Sequence, residues 1–329
     1  MENSIDKKDI NIIHIALAID EKYVIHCLTT MASILSNTSS SVHFHILAQN
    51  LSDKSKKRLK LLNFDYAVSF YDISKIDLSY LPLNREHISV ATYYRLLLSY
   101  FVKVNKLIYL DCDIIVLDDI ANLWNIDCSN VALCAIKDEA DFYHSNRLNL
   151  QKYFNAGILL INMKKYRKKT LEDFVFIMNK YNKKIECQDQ DILNIAFKDN
   201  VKFIDLRWNT NAVLYYNDIF SDSTITLKES YIAKDSPAIL HYTGPSKPWQ
   251  FTNNHPRKLE YLRYLLLTKC YKNIVIQILL FLLSLIIKID ITYKEKTLKL
   301  FTLKIFSIYG KNTKKVILFN RISLPLIRR

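Results

Sequence analysis

The sequence predicts an α/β sandwich with a mainly parallel sheet. Short runs rich in β-branched and aromatic residues recur along the first three quarters of the chain. Several of these runs are separated by segments with apolar residues at helical spacing. Such alternation of strand and helix is typical of parallel sheets that are covered by helices. A chain of 329 residues, 50% of them hydrophobic, can also bury one large core or two smaller ones.

Eight strands and five helices are predicted in order. The strands span Asn11–Ile19, Val42–Ala48, Tyr66–Tyr71, Lys106–Leu110, Val131–Ile136, Gly157–Asn162, Val201–Ile204 and Ala238–Tyr242. The helices span Tyr23–Leu35, Ser52–Leu62, Val90–Tyr100, Lys165–Tyr181 and Asp189–Ala196. In such sheets, ligands bind beyond the carboxyl ends of strands near a switch in strand order. Asp20 and Asp111 follow the first and fourth strands, so both are candidates for that crevice.

Two carboxylates interrupt the apolar run from Leu107 to Leu117. The flanking residues predict a buried strand, in which Asp111 and Asp113 point to one side and Cys112 points to the other. An unpaired carboxylate loses much solvation energy in an apolar setting, so these two need a cation, hydrogen bonds or a solvated cleft. Paired hard oxygen donors suit Mn²⁺ or Mg²⁺ bridging to a phosphate. The alternative is a strand end whose aspartates cap the next element.

Composition excludes two common phosphate-binding loops. The only glycines are Gly157, Gly244 and Gly310, which are too few and too scattered for a G-x-G-x-x-G or G-x-x-x-x-G-K-[ST] motif. The six cysteines form no C-x-x-C pair, and the amino terminus has no apolar secretory segment. We therefore expect reduced thiols and a cytosolic protein.

A rigid loop is predicted after the last strand. Gly244 and three of the six prolines fall between residues 244 and 256. Gly244 permits close backbone approach to a ligand, Lys247 offers a positive charge for a phosphate, and His241 is a candidate metal ligand. A structural turn with a hydrogen-bonded histidine and a solvated lysine is the alternative.

Two further polar segments are candidates for the same cleft. Asn155 precedes Gly157 at a predicted strand start, and Asp189 and Asp191 open an apolar helix. Side chains at such positions can project into a cleft. Carboxylates near a helix amino terminus also serve as caps, so the pattern alone leaves both interpretations open.

The last quarter of the chain is strongly basic. Residues 256–329 carry 16 Lys and Arg against 3 Asp and Glu, whereas the preceding residues are nearly neutral. The apolar run Ile274–Ile287 is shorter than the about 20 residues of a transmembrane helix. Its basic surroundings are interleaved with Leu, Ile and Phe, which favours an anionic membrane surface over nucleic acid, the rival partner. We therefore predict a globular body at residues 1–255 and a basic amphipathic region for membrane association at residues 256–329.

Six segments together carry a family resemblance. They are Ala18–Asp20, His87–Leu96, Tyr109–Asp113, Phe154–Asn162, Gln188–Asn194 and His241–Trp249. In their residues and in their order along the chain, these segments resemble bacterial glycosyltransferases of family 8, the retaining lipopolysaccharide galactosyl- and glucosyltransferases. The resemblance covers roughly residues 11–255. The resemblance implies a GT-A fold, a Rossmann-like α/β domain that binds a nucleotide sugar with Mn²⁺, Mg²⁺ being the alternative ion.

The resemblance implies a role for each matching residue. The metal ligands would be Asp111, Asp113 and His241. The UDP-sugar contacts would be Asp20, Arg95, Asp111, Cys112, Asp113, Asn155, Gly244 and Lys247. The catalytic candidates would be Gln190, Asp189 and Asp138. Gln190 occupies the position debated as the nucleophile, but an amide is a poor nucleophile. We therefore prefer a front-face mechanism, in which the leaving phosphate helps deprotonate the acceptor and Gln190 stabilises positive charge at the anomeric carbon.

The function implied is transfer of galactose or glucose from a UDP-sugar to a lipopolysaccharide or lipooligosaccharide core. The acceptor would be a lipid-linked oligosaccharide, and the protein would lie peripherally on the inner face of the cytoplasmic membrane without binding nucleic acid. Paired carboxylates with a lysine also serve metal-dependent phosphohydrolases and nucleotidyltransferases that act on nucleotide sugars. A basic module that binds nucleic acid or membranes is the second alternative.

Overall fold

The structure, a computed structural model, describes residues 12–78, 81, 89–216 and 223–270, together with the backbone of five strands between residues 287 and 325. The chain divides into two compact units, Met1–Cys270 and Tyr271–Arg329. The first unit contains the elements that position the candidate site.

The strands of the first unit are β1 (Ile13–Ile19), β2 (Val42–Ala48), β3 (Ala67–Asp72), β4 (Lys106–Leu110), β5 (Ile114–Val116), β6 (Leu133–Lys137), β7 (Phe154–Asn162), β8 (Val201–Phe203), β9 (Thr210–Asn211) and β10 (Ile239–His241). Its α-helices are α1 (Val24–Ser36), α2 (Asp53–Arg58), α3 (Leu98–Phe101), α4 (Ile120–Trp124), α5 (Asp141–Leu148), α6 (Met163–Tyr166), α7 (Leu171–Tyr181), α8 (Gln188–Phe197), α9 (Leu227–Asp235) and α10 (Lys258–Leu267). Short 3₁₀ helices cover Glu21–Tyr23, Val90–Leu97, Asn182–Lys184, Leu206–Asn209 and Ala212–Tyr215.

A seven-stranded sheet with the order β3-β2-β1-β4-β7-β6-β8 forms the centre of this unit. Strands β1, β2, β3 and β4 are mutually parallel, as are β6 and β8, whereas β7 runs antiparallel to both of its neighbours. The predicted α/β architecture with a mainly parallel sheet is thus confirmed. The strand order changes direction between β1 and β4, so the carboxyl ends of these two strands diverge into a crevice.

Both faces of the sheet are buried. On β1, Ile13, Ile15 and Leu17 face one apolar cluster that includes α1, while Ala16 faces the other. The second cluster includes the apolar face of α8. This two-sided burial explains why the strand segments are almost continuously apolar.

The run from Leu107 to Leu117 forms two strands in two sheets, so the prediction of one buried strand is wrong. Strand β4 ends at Leu110, and β5 begins at Ile114 in a second sheet with the order β5-β10-β9. The chain turns at the two aspartates because their carboxylates have no place inside a buried sheet. The turn is held by two hydrogen bonds, from Asp111 N to Gly157 O (2.8 Å) and from Tyr242 N to Asp113 O (2.9 Å).

The predicted helices are present with altered bounds. Residues 165–181 form the end of α6 and then α7, because Thr170 starts a new helix with a capping box to Asp173. The predicted helix at 90–100 is a 3₁₀ helix, Val90–Leu97, followed by α3. Four helices, α4, α5, α9 and α10, were not predicted.

The first unit extends to Cys270, beyond the predicted boundary at residue 255. Helix α10 packs on α1, and two of its tyrosine hydroxyls bond to α1 or its carboxyl-terminal cap: Tyr261 Oη with His26 Nδ1 (2.6 Å), and Tyr264 Oη, which accepts from Asn37 Nδ2 (2.8 Å). Tyr261 and Tyr264 are both buried. Residues 256–270 therefore belong to the core of the body.

The second unit contains a five-stranded antiparallel sheet. Its strands, in spatial order, are β11 (Ile287–Ile291), β12 (Lys296–Leu300), β13 (Leu303–Ile308), β14 (Lys315–Leu318) and β15 (Ile322–Pro325). Of the predicted apolar run Ile274–Ile287, residues 274–286 lie outside the described residues. Among the helices that the structure describes, none is long and apolar enough to cross a membrane.

Candidate active site

A cavity of about 350 Å³ opens at the carboxyl ends of β1 and β4. The amino terminus of α8, the start of β7 and the loop after β10 complete its walls. All the residues predicted as metal ligands, donor contacts or catalytic groups line this one cavity. They are Asp20, Arg95, Asp111, Cys112, Asp113, Asp138, Asn155, Asp189, Gln190, His241, Gly244 and Lys247.

Three candidate metal ligands converge on the floor of the cavity. His241 Nε2 lies 3.3 Å from Asp113 Oδ1 and 3.8 Å from Asp111 Oδ2. One ligand atom from each residue lies within 4.8 Å of the other two. Two carboxylates and one imidazole form an oxygen-rich donor set that suits Mn²⁺ or Mg²⁺. The residues present therefore fit a divalent ion of this class.

Gly157 provides the space that this cluster needs. A Cβ atom at this position would lie 2.3 Å from His241 Cε1 and 2.9 Å from Asp111 Oδ2. Any side chain here would displace a ligand. The glycine is thus explained by the close approach of its backbone to the candidate metal site.

A chain of amide hydrogen bonds orients His241. Its Nδ1 bonds to Asn209 Oδ1 (2.9 Å), and Asn209 Nδ2 donates to Asn155 Oδ1 (3.0 Å). Asn155 Nδ2 in turn donates to Asp138 Oδ2 (3.2 Å). An amide oxygen can only accept, so His241 carries its proton on Nδ1 and presents the lone pair of Nε2 to the carboxylates. This is the tautomer that binds a metal through Nε2.

Arg95 joins the aspartate pair to α8. Its guanidinium contacts Asp111 (2.9 Å) and Asp189 (2.8 Å), and its Nη1 donates to Ala156 O (2.6 Å). Burial opposes the charge of Arg95, but the two carboxylates outweigh it and raise the pKa of Arg95 above its usual range. Burial also raises the pKa of Asp189 to about 6, although Arg95 works in the opposite direction. Arg95 is therefore a fixed cation in the cavity wall.

Lys247 lies against the other aspartate. Its Nζ contacts Asp113 Oδ2 (2.5 Å) and donates to Tyr242 O (2.8 Å). Burial alone would raise the pKa of Asp113, but the ammonium group of Lys247 lowers it below its ordinary value. Asp113 is therefore ionised at neutral pH, as a metal ligand must be.

The remaining predicted contacts occupy the rim. Asp20 caps the 3₁₀ helix Glu21–Tyr23 through bonds from Lys22 N (3.0 Å) and Tyr23 N (3.1 Å). Gly244 has a φ of 79°, and no atom lies within 4 Å of an added Cβ. The Sγ of Cys112 lies 3.9 Å from Ala18 O, and the side chain belongs to the apolar cluster that includes α1.

Gln190 and Asp138 form one polar wall. Gln190 Oε1 accepts from Ala156 N (2.9 Å), and its Nε2 donates to Asp138 Oδ2 (3.1 Å) and Tyr153 Oη (3.2 Å). The amide oxygen keeps one lone pair beyond its bond to the backbone. Asp191 does not face the cavity, since it pairs with Arg147 (2.8 Å) and caps the residues before α8.

Several residues of the site were missed by the sequence analysis. Asn209 does not line the cavity and acts through its bonds to His241 and Asn155, so its role is visible only in three dimensions. Gln188 lines the cavity with a φ of 41° and a buried Nε2 that has no hydrogen-bond partner among the described residues. Trp249 stacks on His26 with ring centroids 3.6 Å apart and so fixes the loop after β10 to α1. The clustered prolines before and after Trp249 were a usable signal for this rigid loop.

Comparison with known proteins gives a consistent result. The family model described as Glycosyl transferase family 8 matches residues 14–253. General stress protein A of Bacillus subtilis is 28% identical over 277 residues, which cover 80% of this chain and 96% of that protein. Lipopolysaccharide glucosyltransferase WaaO of Escherichia coli is 31% identical over 253 residues, 71% of this chain and 72% of that protein.

A solved structure supports the same relationship. The galactosyltransferase LgtC, crystallised in complex with donor and acceptor sugar analogues, superposes with a TM-score of 0.69 at 28% identity. The match covers 77% of this chain and 95% of that one.

Proposed function

Since the chain belongs to glycosyl transferase family 8, we propose that it transfers galactose or glucose from a UDP-sugar to a lipopolysaccharide or lipooligosaccharide core, with retention of anomeric configuration. One observation carries this proposal. Asp111, Asp113 and His241 converge in the same cavity as the cationic Lys247 and the polar wall of Gln190 and Asp138. That combination suits a diphosphate at one end and a sugar at the other.

The metal ligands in this proposal are Asp111, Asp113 and His241, and the ion is Mn²⁺ or Mg²⁺. When bound, such an ion supplies Lewis-acid stabilisation of the negative charge that develops on a nucleoside diphosphate leaving group. Asn209 keeps His241 in the ligating tautomer. Gly157 keeps the floor of the cavity clear of side chains.

The diphosphate would lie against Lys247 and Gly244. Lys247 would stabilise the leaving group as a point charge, and Gly244 would let the backbone approach a phosphate oxygen. Asp20 would contact the uracil from the rim beside β1. Cys112 lies between the two aspartates in the sequence, where its backbone would border the same diphosphate.

The donor sugar would lie between Arg95 and the α8 wall. Arg95, Asn155 and Asp189 would hold its hydroxyl groups. The free lone pair of Gln190 Oε1 would stabilise positive charge at the anomeric carbon, and Asp138 fixes the Gln190 amide through its Nε2. The leaving phosphate would help to deprotonate the acceptor on the same face of the sugar.

The acceptor assignment rests on the relatives. The Escherichia coli relative is named a lipopolysaccharide glucosyltransferase, and the superposed structure is a galactosyltransferase. A lipid-linked oligosaccharide acceptor agrees with the basic residues after α10 (271–329), which would hold the protein peripherally at the inner face of the cytoplasmic membrane. No nucleic-acid partner is needed to explain that charge.

A donor screen tests the proposal. Purified protein with Mn²⁺ is incubated with UDP-galactose or UDP-glucose and a panel of lipooligosaccharide cores, and both UDP and glycosylated product are measured. We expect acceptor-dependent UDP release with one of the two donors. Release of UDP or sugar phosphate without glycosylated product, over the whole panel, would instead indicate a hydrolase.

The variant Asp113→Asn tests the metal assignment. It keeps the size of the side chain but weakens one ligand, and we expect transfer to fall by at least about 100-fold, the scale of lost electrostatic stabilisation in active sites. Circular dichroism should show an unchanged fold. Full activity of Asp113→Asn would contradict the metal assignment without excluding transfer itself.

A further inference from the structure

Three histidines lie together at the opposite end of the strands from the cavity. His14 is the second residue of β1, and His43 and His45 are on β2. In the parallel register, His14 pairs with His43, and Ala16 pairs with His45. All three histidines therefore point to the same face of the sheet. Asp20, at the far end of β1, is six residues from His14, which corresponds to about 20 Å along the strand.

The three rings are close enough to share one ion. His14 Nδ1 lies 3.0 Å from His45 Nε2, and the rings of His43 and His45 stack with centroids 4.4 Å apart. One nitrogen of each histidine lies within 4.8 Å of the other two. Tetrahedral zinc with Zn–N bonds of about 2.0–2.1 Å places its nitrogen ligands roughly 3.4 Å apart. Small side-chain rotations would bring the three rings to this geometry.

The second nitrogens of two rings are already held by hydroxyl groups from β3. His45 Nδ1 bonds to Tyr71 Oη (2.9 Å), and His43 Nε2 bonds to Ser69 Oγ (2.8 Å). Metal-binding histidines generally use their other nitrogen in such a bond, which fixes the ring and its tautomer. The bond to Tyr71 leaves His45 Nε2 facing His14.

The chemical state of the trio is suited to a metal. Burial lowers the pKa of His45 to about 3 and also lowers the pKa of His43 below its ordinary value. These rings are neutral at pH 7, the form that donates to a metal. His14 and His43 are only partly buried, so solvent can reach the trio and supply a fourth ligand.

From this geometry we propose that His14, His43 and His45 form a second metal site, distinct from the carboxylate cavity, that takes Zn²⁺ or a similar nitrogen-preferring ion. Imidazole ligands suit Zn²⁺, Ni²⁺ and Cu²⁺, whereas carboxylates suit Mn²⁺ and Mg²⁺. The two sites are therefore selective for different ions. The bound ion would join β1 to β2 at the amino-terminal end of the sheet. This inference does not depend on the transferase activity.

Zinc and cobalt titrations of the full chain test the site. The host is the Asp113→Asn variant, in which the cavity is weakened as a competing site. We expect one equivalent of Zn²⁺ to bind and to raise the melting temperature. His43→Gln and His14→Gln, each in the same host, should weaken this binding by at least about tenfold. His26→Gln, which changes a histidine outside the trio, should leave the affinity unchanged.

Cobalt distinguishes the trio from a second cluster formed by His144, Cys187 and Asp191. A site of three imidazoles gives visible cobalt bands without a thiolate charge-transfer band, whereas binding at Cys187 would produce one. Unchanged zinc affinity in both His43→Gln and His14→Gln would overturn the proposal and leave the trio as a hydrogen-bonded group only. A thiolate band that persists in both variants would also overturn it.

Discussion

At the residue scale, the absence of a side chain at Gly157 makes room for the candidate metal site. We expect Gly157→Ala to abolish metal binding, because the new Cβ would overlap His241 Cε1 and crowd Asp111. Manganese affinity, measured by electron paramagnetic resonance, should fall by at least about 100-fold, with a parallel loss of UDP release. The matched control is Gly244→Ala, which costs about 1 kcal/mol of stability through its positive φ but crowds no ligand. Wild-type manganese affinity in Gly157→Ala would contradict the placement of the ion.

Asn209 is the second residue whose effect on metal affinity can be isolated by substitution. Asn209→Ala leaves His241 Nδ1 buried without a partner, so we expect manganese affinity to fall by about 10–100-fold, as for other residues that orient a ligand. Asn209→Asp restores an acceptor for Nδ1 and should recover most of the affinity. The control is Asn211→Ala: Asn211 is also buried but bonds to Glu139 (2.6 Å) and not to His241. Equal affinities in all three variants would show that Asn209 does not orient the ligand.

The same scale shows what sequence could predict of the site. All the residues predicted as metal ligands, donor contacts or catalytic groups line one cavity, and all of them except Asp138 belong to a recognisable sequence motif. Asn209 belongs to no such motif, and its partner His241 is 32 residues further along the chain. Gln188 is a common residue type, but its backbone has a φ of 41°, which no sequence pattern indicates. Residues that act through geometry alone were therefore missed.

At the scale of elements, α10 packs on the body, although the sequence prediction placed it in the membrane-association region. From the proposed membrane contact, we expect a chain ending at Cys270 to keep the stability of the first unit and to bind anionic lipid vesicles less than the full chain does. A chain ending at His255 also loses α10 with its buried Tyr261 and Tyr264 and exposes the face of α1 that they cover, so its free energy of unfolding should fall by more than about 5 kcal/mol. Urea denaturation and vesicle sedimentation measure the two effects. Undiminished vesicle binding by the chain ending at Cys270 would contradict membrane contact through the basic region.

Element boundaries were predictable where the local pattern was decisive. Strands β2 and β4 have the predicted bounds because polar residues border them on both sides. The split between β4 and β5 was not predictable from periodicity, since the apolar pattern continues on both sides of the aspartates. It depends on pairing between β5 and β10, a contact that is remote in sequence. The break before α7 was visible in the capping pattern of Thr170 and Asp173.

At the scale of the whole molecule, buried histidines make stability depend on pH. Burial lowers the pKa of His26 to about 4, of His45 to about 3 and of His255 to about 4, whereas an unfolded histidine titrates near 6.5. As pH falls below about 6.5, the unfolded chain binds protons that the folded chain does not. The contribution of these histidines to the free energy of unfolding is therefore fully present above about pH 6.5 and decreases towards pH 4.

We expect the free energy of unfolding to be lower at pH 5 than at pH 7, by roughly 1–2 kcal/mol for each of these three histidines. The raised pKa of Asp189 acts in the opposite sense, but it is one carboxyl group against three imidazoles. Urea denaturation at both pH values measures the difference. His45→Gln should reduce the difference in free energy of unfolding between the two pH values by the contribution of one histidine. Equal stability at pH 5 and pH 7 would contradict the prediction.

The split of the aspartate pair between two sheets has a consequence for assembly of the molecule. Asp113 and Lys247 meet across 134 residues of chain, and β5 and β10 must pair before they can do so. Closing so long a loop is entropically costly, and such contacts form late in folding. A nascent chain would therefore lack the contact between Asp113 and Lys247 until most of the body had been synthesised. The proposed donor site would thus be complete only in the completed fold.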